Sequence, residues 1–204
     1  MADQLYLSLW FPNFRLSSLA PAMVGVVQQL ASAGGASAVT AAAVYPISWN
    51  EAPVYQRVYD EDEQEAAQPE TAIGEAMEML HDDCAYEFEV KWDLWVSESG
   101  DGLDTKWRQE PRVIRVTGFG PEFAEGYYEQ NGQIRIDFGT DAPFLQEEVT
   151  LDPETAAHVQ QNVEKLVAVT QAIQKNLAVS SRLLWSESGE SLAEKLIARL
   201  QRLN

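Results

Sequence analysis

The chain has 204 residues, 46% of them hydrophobic and 10% aromatic, with one cysteine and a formal net charge of −18. That length and apolar share support one large packed domain rather than a disordered chain, and a lone cysteine rules out an intramolecular disulfide. The charge argues against direct binding to nucleic acid or anionic lipid, which need a positive field, and no apolar run reaches the roughly 18 to 20 residues of a membrane-spanning helix.

Met1-Ala2-Asp3-Gln4 carries no basic stretch, so no secretion signal is expected and a reducing cytoplasm is the expected address. Leu5, Leu7, Leu9 and Phe11 alternate with Tyr6, Ser8 and Trp10, a first strand that Pro12 ends. From Ser18 to Ala33, Leu19, Met23, Val26, Val27 and Leu30 recur near helical spacing, with Pro21 in the first turn and Gly34-Gly35 as the stop. Residues Ala36 to Ser48 are small and β-branched, and Asn50-Glu51-Ala52-Pro53 turns them into Val54–Asp60, a predicted hairpin.

An acidic connection from Asp60 to Glu65 leads to a predicted helix over Pro69–His81, with Ile73, Met77 and Leu80 as its apolar stripe. From Cys84 to Val96 the alternation is the clearest in the chain. Tyr86, Phe88, Val90, Trp92, Leu94 and Val96 take one face, and Glu87, Glu89, Lys91, Asp93 and Trp95 the other. Ser97 to Asp104 reads as a loop and Val113 to Gly118 as a strand. Tyr127–Gln130 and Gln133–Phe138 flank Asn131-Gly132, which predicts a hairpin with a type I′ turn.

The last quarter reads as helical. Asp152-Pro153-Glu154 starts a helix whose Ala156, Val159, Val163, Leu166, Thr170, Ile173 and Leu177 form a heptad seam. Ser191-Leu192-Ala193-Glu194 matches a capping box that opens a second helix with Leu192, Leu196, Leu200 and Leu203 on one stripe. Ser180 to Gly189 reads as irregular, with Trp185 filling a groove between helix and sheet.

The order β-α-β-β-α-β over residues 5–96 predicts an α+β fold of ferredoxin-like, split βαβ type. A C-terminal β-hairpin is expected to extend its antiparallel sheet, and two C-terminal helices to pack on it. Residues 1–150 then form an α+β sandwich, with the strand and hairpin at 107–139, and residues 151–204 a helical pair of the same domain. With Leu5, Leu7, Leu9 and the apolar side of Cys84–Val96 facing the helices, Tyr6, Trp10 and Trp95 face away. The third strand adds either Tyr55, Arg57 and Tyr59 or Val54, Gln56 and Val58. The first choice is favoured, making Tyr6, Trp10, Tyr55, Tyr59 and Trp95 the expected ligand or partner face.

Motifs for chemistry are sparse. His81-Asp82-Asp83-Cys84 gathers ligand-capable side chains, but adjacent residues do not converge on a tetrahedral metal. Cys84 with His81 or His158 is a formal nucleophile–base pair, and Glu87, Glu89 and Asp93 are carboxylates spaced along one strand face. Lys91, Arg115, Arg135 and Asp137 offer an ion-pair explanation for the latter. The aromatic, glycine-bearing connection from Phe119 to Tyr128 is either a functional loop or a corner. No phosphate loop, nucleophile elbow or dinucleotide fingerprint occurs, and no cofactor or metal is expected.

The expected role is therefore a non-catalytic protein-interaction or regulatory module, with a homo-oligomer or another protein as partner. A small-molecule enzyme or carrier using the aromatic face is the first alternative. An acidic decoy for a basic partner is the second, since residues 61–110 hold 16 acidic and 3 basic side chains while residues 151–204 hold 6 of each.

Overall fold

A computed structural model describes residues 2–60, 62–78, 80–98, 106–146 and 152–201. In chain order these form β1 (Gln4–Trp10), α1 (Leu19–Ser32), β2 (Gly35–Pro46), β3 (Tyr55–Val58), α2 (Pro69–Ala76), β4 (Cys84–Glu98) and β5 (Lys106–Phe119). There follow α3 (Tyr127–Asn131), β6 (Ile134–Thr140), α4 (Ala142–Leu145), α5 (Pro153–Asn176), β7 (Ser181–Ser186) and α6 (Leu192–Gln201). The strands make one open antiparallel sheet in the order β3-β2-β4-β5-β6-β1-β7.

The chain is thus α+β, but its strand order corrects the split βαβ expectation. That topology needs β4 beside β1; here β4 lies between β2 and β5, and β4, β5 and β6 separate β1 from β2. The cause is local pairing. β4 and β5 share a ladder from Ala85↔Phe119 to Glu98↔Lys106, whose short loop closure costs less entropy than reaching back to β1. Both edges of β1 are in turn taken by β6 and β7.

One face of the sheet carries the core. Leu5, Leu7 and Leu9 join Tyr86, Phe88, Val90, Trp92 and Leu94 of β4, and Ile114 and Val116 of β5. Against them pack Leu19, Met23, Val26, Val27 and Leu30 of α1, the stripe expected from spacing, and Leu166, Val169 and Ile173 of α5. The seam of α5 is used within the chain, its Leu166 and Ile173 packed into this core. Its caps are those the sequence implies: the Thr155 backbone N–H donates to Asp152 Oδ1 at 2.7 Å. At α6 the Glu194 N–H donates to Ser191 Oγ at 3.1 Å while the Ser191 N–H donates to Glu194 Oε2 at 3.0 Å.

Three local expectations change. α2 stops at Ala76, short of His81, whose backbone N–H donates to the Tyr86 hydroxyl at 2.9 Å. Leu200 of the stripe expected on α6 has no described side chain, and Leu203 and much of the Ser97–Asp104 loop lie outside the described residues. Ser180–Gly189 is not irregular: β7 pairs with β1, and Trp185 sits opposite Tyr6 on the face away from the helices, its ring centroid 4.7 Å from the Tyr6 ring. It donates to Ser8 Oγ at 3.0 Å and fills no helix–sheet groove.

The Asn131-Gly132 hairpin is also absent, because Tyr127–Asn131 is the short helix α3. Gly132 takes φ +90° and ψ 156° for another reason. A Cβ there would lie 2.8 Å from the Leu9 nitrogen and 2.9 Å from its oxygen, where β1 runs past. Gly132→Ala should therefore destabilise by about 2 kcal/mol through backbone strain and overpacking. Urea unfolding checks this, and a change below about 0.5 kcal/mol, the scale of an ordinary surface substitution, would count against the close approach.

Candidate functional site

The face opposite the helices is open and concave, and cross-strand pairing sets its order. Opposite Glu89 of β4 lie Ala41 of β2 on one side and Arg115 of β5 on the other. Beyond Ala41 is Val58 of β3; beyond Arg115 come Asp137 of β6 and Tyr6 of β1. One step along, Ala43 and Thr117 flank Glu87, with Gln56 beyond Ala43 and Arg135 beyond Thr117. These rows line a groove of about 740 Å³.

Two small residues on β2 make the depression. Long side chains on β4 and β5 would otherwise find equals at Ala41 and Ala43; instead the floor drops between β3 and β4. An aromatic cluster closes one end. Tyr45 and Trp49 have centroids 5.2 Å apart, Trp49 lies edge-on to Phe123 at 5.2 Å, and Phe119 contacts Tyr127 at 5.0 Å. The connection from Phe119 to Tyr128 thus builds this end wall. It does so with costly backbone: Ala124 and Glu125 have φ of +47° and +57°, and the Ala124 N–H donates at 2.8 Å to the carbonyl of Ile47, which follows β2 with φ +62°.

The charges are unequally satisfied. Arg115 Nε is 3.0 Å from Glu89 Oε1 and 3.9 Å from Glu87 Oε1. Glu87 is only 19% exposed in its side chain, and among the described residues it makes no hydrogen bond. Burial raises its carboxyl above the ordinary glutamate value, with Arg115 opposing and Glu89 reinforcing. Arg135 is held tightly: Nη1 donates to the Tyr127 hydroxyl at 2.5 Å and the guanidinium lies 4.9 Å over Tyr6 and 5.5 Å over Phe119. Its Nε is buried without a partner among the described residues. Burial, together with Asp137 and Glu187, pushes the Tyr6 hydroxyl up to about 12.

Of the five residues expected on one face, only Tyr6 lines this groove. Trp10 is at the end of β1, its Nε1 donating to the Glu129 carbonyl at 3.2 Å. Tyr55 and Tyr59 point to the helical side. The inward set on β3 is Tyr55, Arg57 and Tyr59 because Arg57 pairs there with Glu75 at 2.6 Å and Glu63 at 3.0 Å. Gln56 and Val58 take the open face instead. Trp95 lies against α5, its Nε1 donating to Gln161 Oε1 at 2.9 Å and its ring 4.2 Å from His158, which also stacks on Trp107 at 4.8 Å.

Sequence reasoning missed Ala41, Ala43, Tyr45 and Trp49. Alanine on a strand carries no chemical signal, and its role here depends on which strands flank it. The carboxylates Glu87 and Glu89, read from sequence as ion-pair partners of Arg115, do pair with it.

The other candidate chemistry does not assemble. Cys84 opens β4 and His158 meets Trp95 eleven residues along, about 35 Å away in an extended strand. Burial, with Asp83 beside it, pushes the Cys84 thiol up to about 11, which disfavours a thiolate. Among the described residues no group of three or more His, Cys, Asp or Glu side chains is arranged to hold a metal ion, and no helix is long and apolar enough to cross a membrane. Compared with known proteins, the chain matches no family model, no curated protein and no solved structure.

Proposed function

We propose that the protein is a non-catalytic interaction module whose working surface is the open face of its sheet, and that this face takes an extended segment of a protein partner. The observation that carries the reading is the groove that runs from β3 across the sheet to β1. It combines a half-buried carboxylate without a hydrogen bond, a guanidinium with an unpaired buried N–H, and apolar surface beside them. Val58, Val113 and Leu183 on the same face are 68%, 45% and 52% exposed. A carboxylate half withdrawn from water without a hydrogen bond is costly, and a bound segment supplies it with a partner and covers the apolar surface beside it.

The form favours a chain over a small molecule. Small-ligand sites enclose most of their ligand, whereas this groove is open along a seven-stranded face. A second copy of this chain is disfavoured by its net charge of −18, which opposes like-charged faces meeting.

The test is selection from a displayed random peptide library on the wild-type protein, followed by binding measurements on Ala41→Trp. That substitution fills the groove floor from the solvent side and should leave the melting temperature within a few degrees. Selected peptides should converge on a pattern and lose at least about tenfold in affinity for Ala41→Trp, the scale of one lost buried contact. Failure to select any peptide, or binding indifferent to Ala41→Trp, would remove the reading.

A further inference from the structure

Within the proposed interaction surface, and resting on that reading, we infer that the slot over Ala41 and Ala43 takes a lysine or arginine side chain from a basic segment of the partner. The argument begins with asymmetry. On the β5 side of the two glutamates stands Arg115, which is engaged with Glu89 at 3.0 Å. On the β2 side stand only Ala43, opposite Glu87, and Ala41, opposite Glu89. The carboxylates therefore face a cation on one side and bare methyl groups on the other.

The slot has the dimensions of a long side chain. Its floor is one strand, β2, so its walls on β3 and β4 are about two inter-strand spacings apart, close to 10 Å between backbones. Val58 and the two alanines give an aliphatic stem an apolar bed, as lysine and arginine stems prefer. Tyr45 and Trp49 line the same groove, 5.2 Å apart, and aromatic rings attract a nearby cation. Glu87 is the acceptor without a hydrogen bond among the described residues, and its nearest cation, at 3.9 Å, is beyond hydrogen-bond reach.

The two arginines that line the groove do not supply that cation. Arg115 is bound to Glu89, and Arg135 to Tyr127 between aromatic rings. At longer range the net charge of −18 favours the approach of a basic partner over an acidic one.

Binding has a defined pH sense. Arg115, Glu89, Arg135 and Asp137 surround Glu87, and Tyr45 also feels its charge. Its carboxyl is raised in the free protein, while a cation favours the ionised form. Affinity therefore rises with pH through the Glu87 titration and levels off once it is ionised.

The experiment uses the peptides selected on the whole protein, each resynthesised with its lysine or arginine replaced by norleucine. The selected sequences should share one basic position. Norleucine there should weaken binding at least about tenfold, and Glu87→Gln should weaken the parent peptide to a similar degree. Ala43→Lys, which places a tethered ammonium opposite Glu87, should also abolish binding. Glu87→Gln should melt no lower than the wild type, because it removes a carboxylate whose ionised form burial disfavours; a lost interaction is then separable from a lost fold.

Peptides that converge without a basic position, or that tolerate norleucine, would overturn the cation slot while leaving the open-face reading standing if Ala41→Trp still blocks them. Binding unaffected by Ala41→Trp would overturn both. A free alkylamine that occupies the slot as tightly as the peptide would overturn the protein partner in favour of a small ligand. A wild-type dimer that Ala41→Trp converts to monomer would assign the slot to a second copy.

Discussion

Replacing Asn162 with leucine should lower the unfolding free energy by about 3 kcal/mol or more, which for a chain of this length moves the thermal midpoint by about 6 to 12 °C. The reason lies where the sheet changes width. The pairing of β2 with β4 ends at Gly35↔Trp92, so beyond Trp92 the outer edge of β4 has no strand beside it. Asn162 of α5 takes the strand's place. Its Oδ1 accepts from the Trp95 N–H at 2.9 Å and its Nδ2 donates to the Trp95 carbonyl at 2.8 Å, closing the two-bond pattern a neighbouring residue would make. A third bond, 2.7 Å to the Pro143 carbonyl, ties in α4.

Asn162 is 2% exposed, so leucine fits the volume but leaves three backbone groups unpaired. Each such group costs about 1 to 3 kcal/mol. The neighbouring bond from Trp95 Nε1 to Gln161 is exposed, and Gln161→Leu should cost under about 1 kcal/mol. Urea unfolding of both variants decides it. Equal effects would mean that water, not Asn162, satisfies the edge.

Local chemistry was legible in the sequence wherever one element settles it alone. The alternation of Cys84–Val96 assigns both faces of β4, because a buried face admits no charge. The Asp152 and Ser191–Glu194 caps were legible because the residues that make them lie within three positions of each other. What remained hidden depends on distant neighbours. The strand order turns on β4 preferring β2 and β5, and nothing in β1 or β4 by itself excludes their pairing. The inward set on β3 depends on Glu63 and Glu75, which a four-residue strand cannot announce.

Asn131-Gly132 misled for an instructive reason. Glycine there serves the close passage of Leu9, so the residue type was informative while its turn was not. The groove follows the same logic. Glu87 and Glu89 could be read as carboxylates on a strand, but their significance comes from having alanines on one side and Arg115 on the other. That contrast exists only once β2, β4 and β5 are neighbours.

Lys195→Met should be similarly damaging, at about 3 to 5 kcal/mol. Lys195 lies on α6 with its Nζ 2.7 Å from Asp141 Oδ2 and 3.1 Å from Asp3 Oδ2. The Asp141 side chain is 2% exposed and also accepts the Asp3 backbone N–H at 2.9 Å, so the ammonium fastens the last helix to the start of β1 and the end of β6. Methionine keeps the stem's packing and removes the charge, leaving Asp141 buried without its cation.

The pH dependence has two ends. Burial pulls the Lys195 amine down, but its bonds to Asp141 and Asp3 outweigh this and raise it, so its contribution is complete below the ordinary lysine value and is lost as pH rises through the raised one. Hydrogen bonds from Ser188, with Lys195 behind them, hold the Asp3 carboxyl well below the aspartate range; that contribution is present above the ordinary value and lost as pH falls through the depressed one. The wild type should therefore show a broad neutral plateau. Adding Asp141→Leu to Lys195→Met should recover much of the loss, because an apolar pair replaces a stranded charge. If the double variant is as unstable as Lys195→Met alone, the cost lies in the packing of α6 and not in the buried carboxylate.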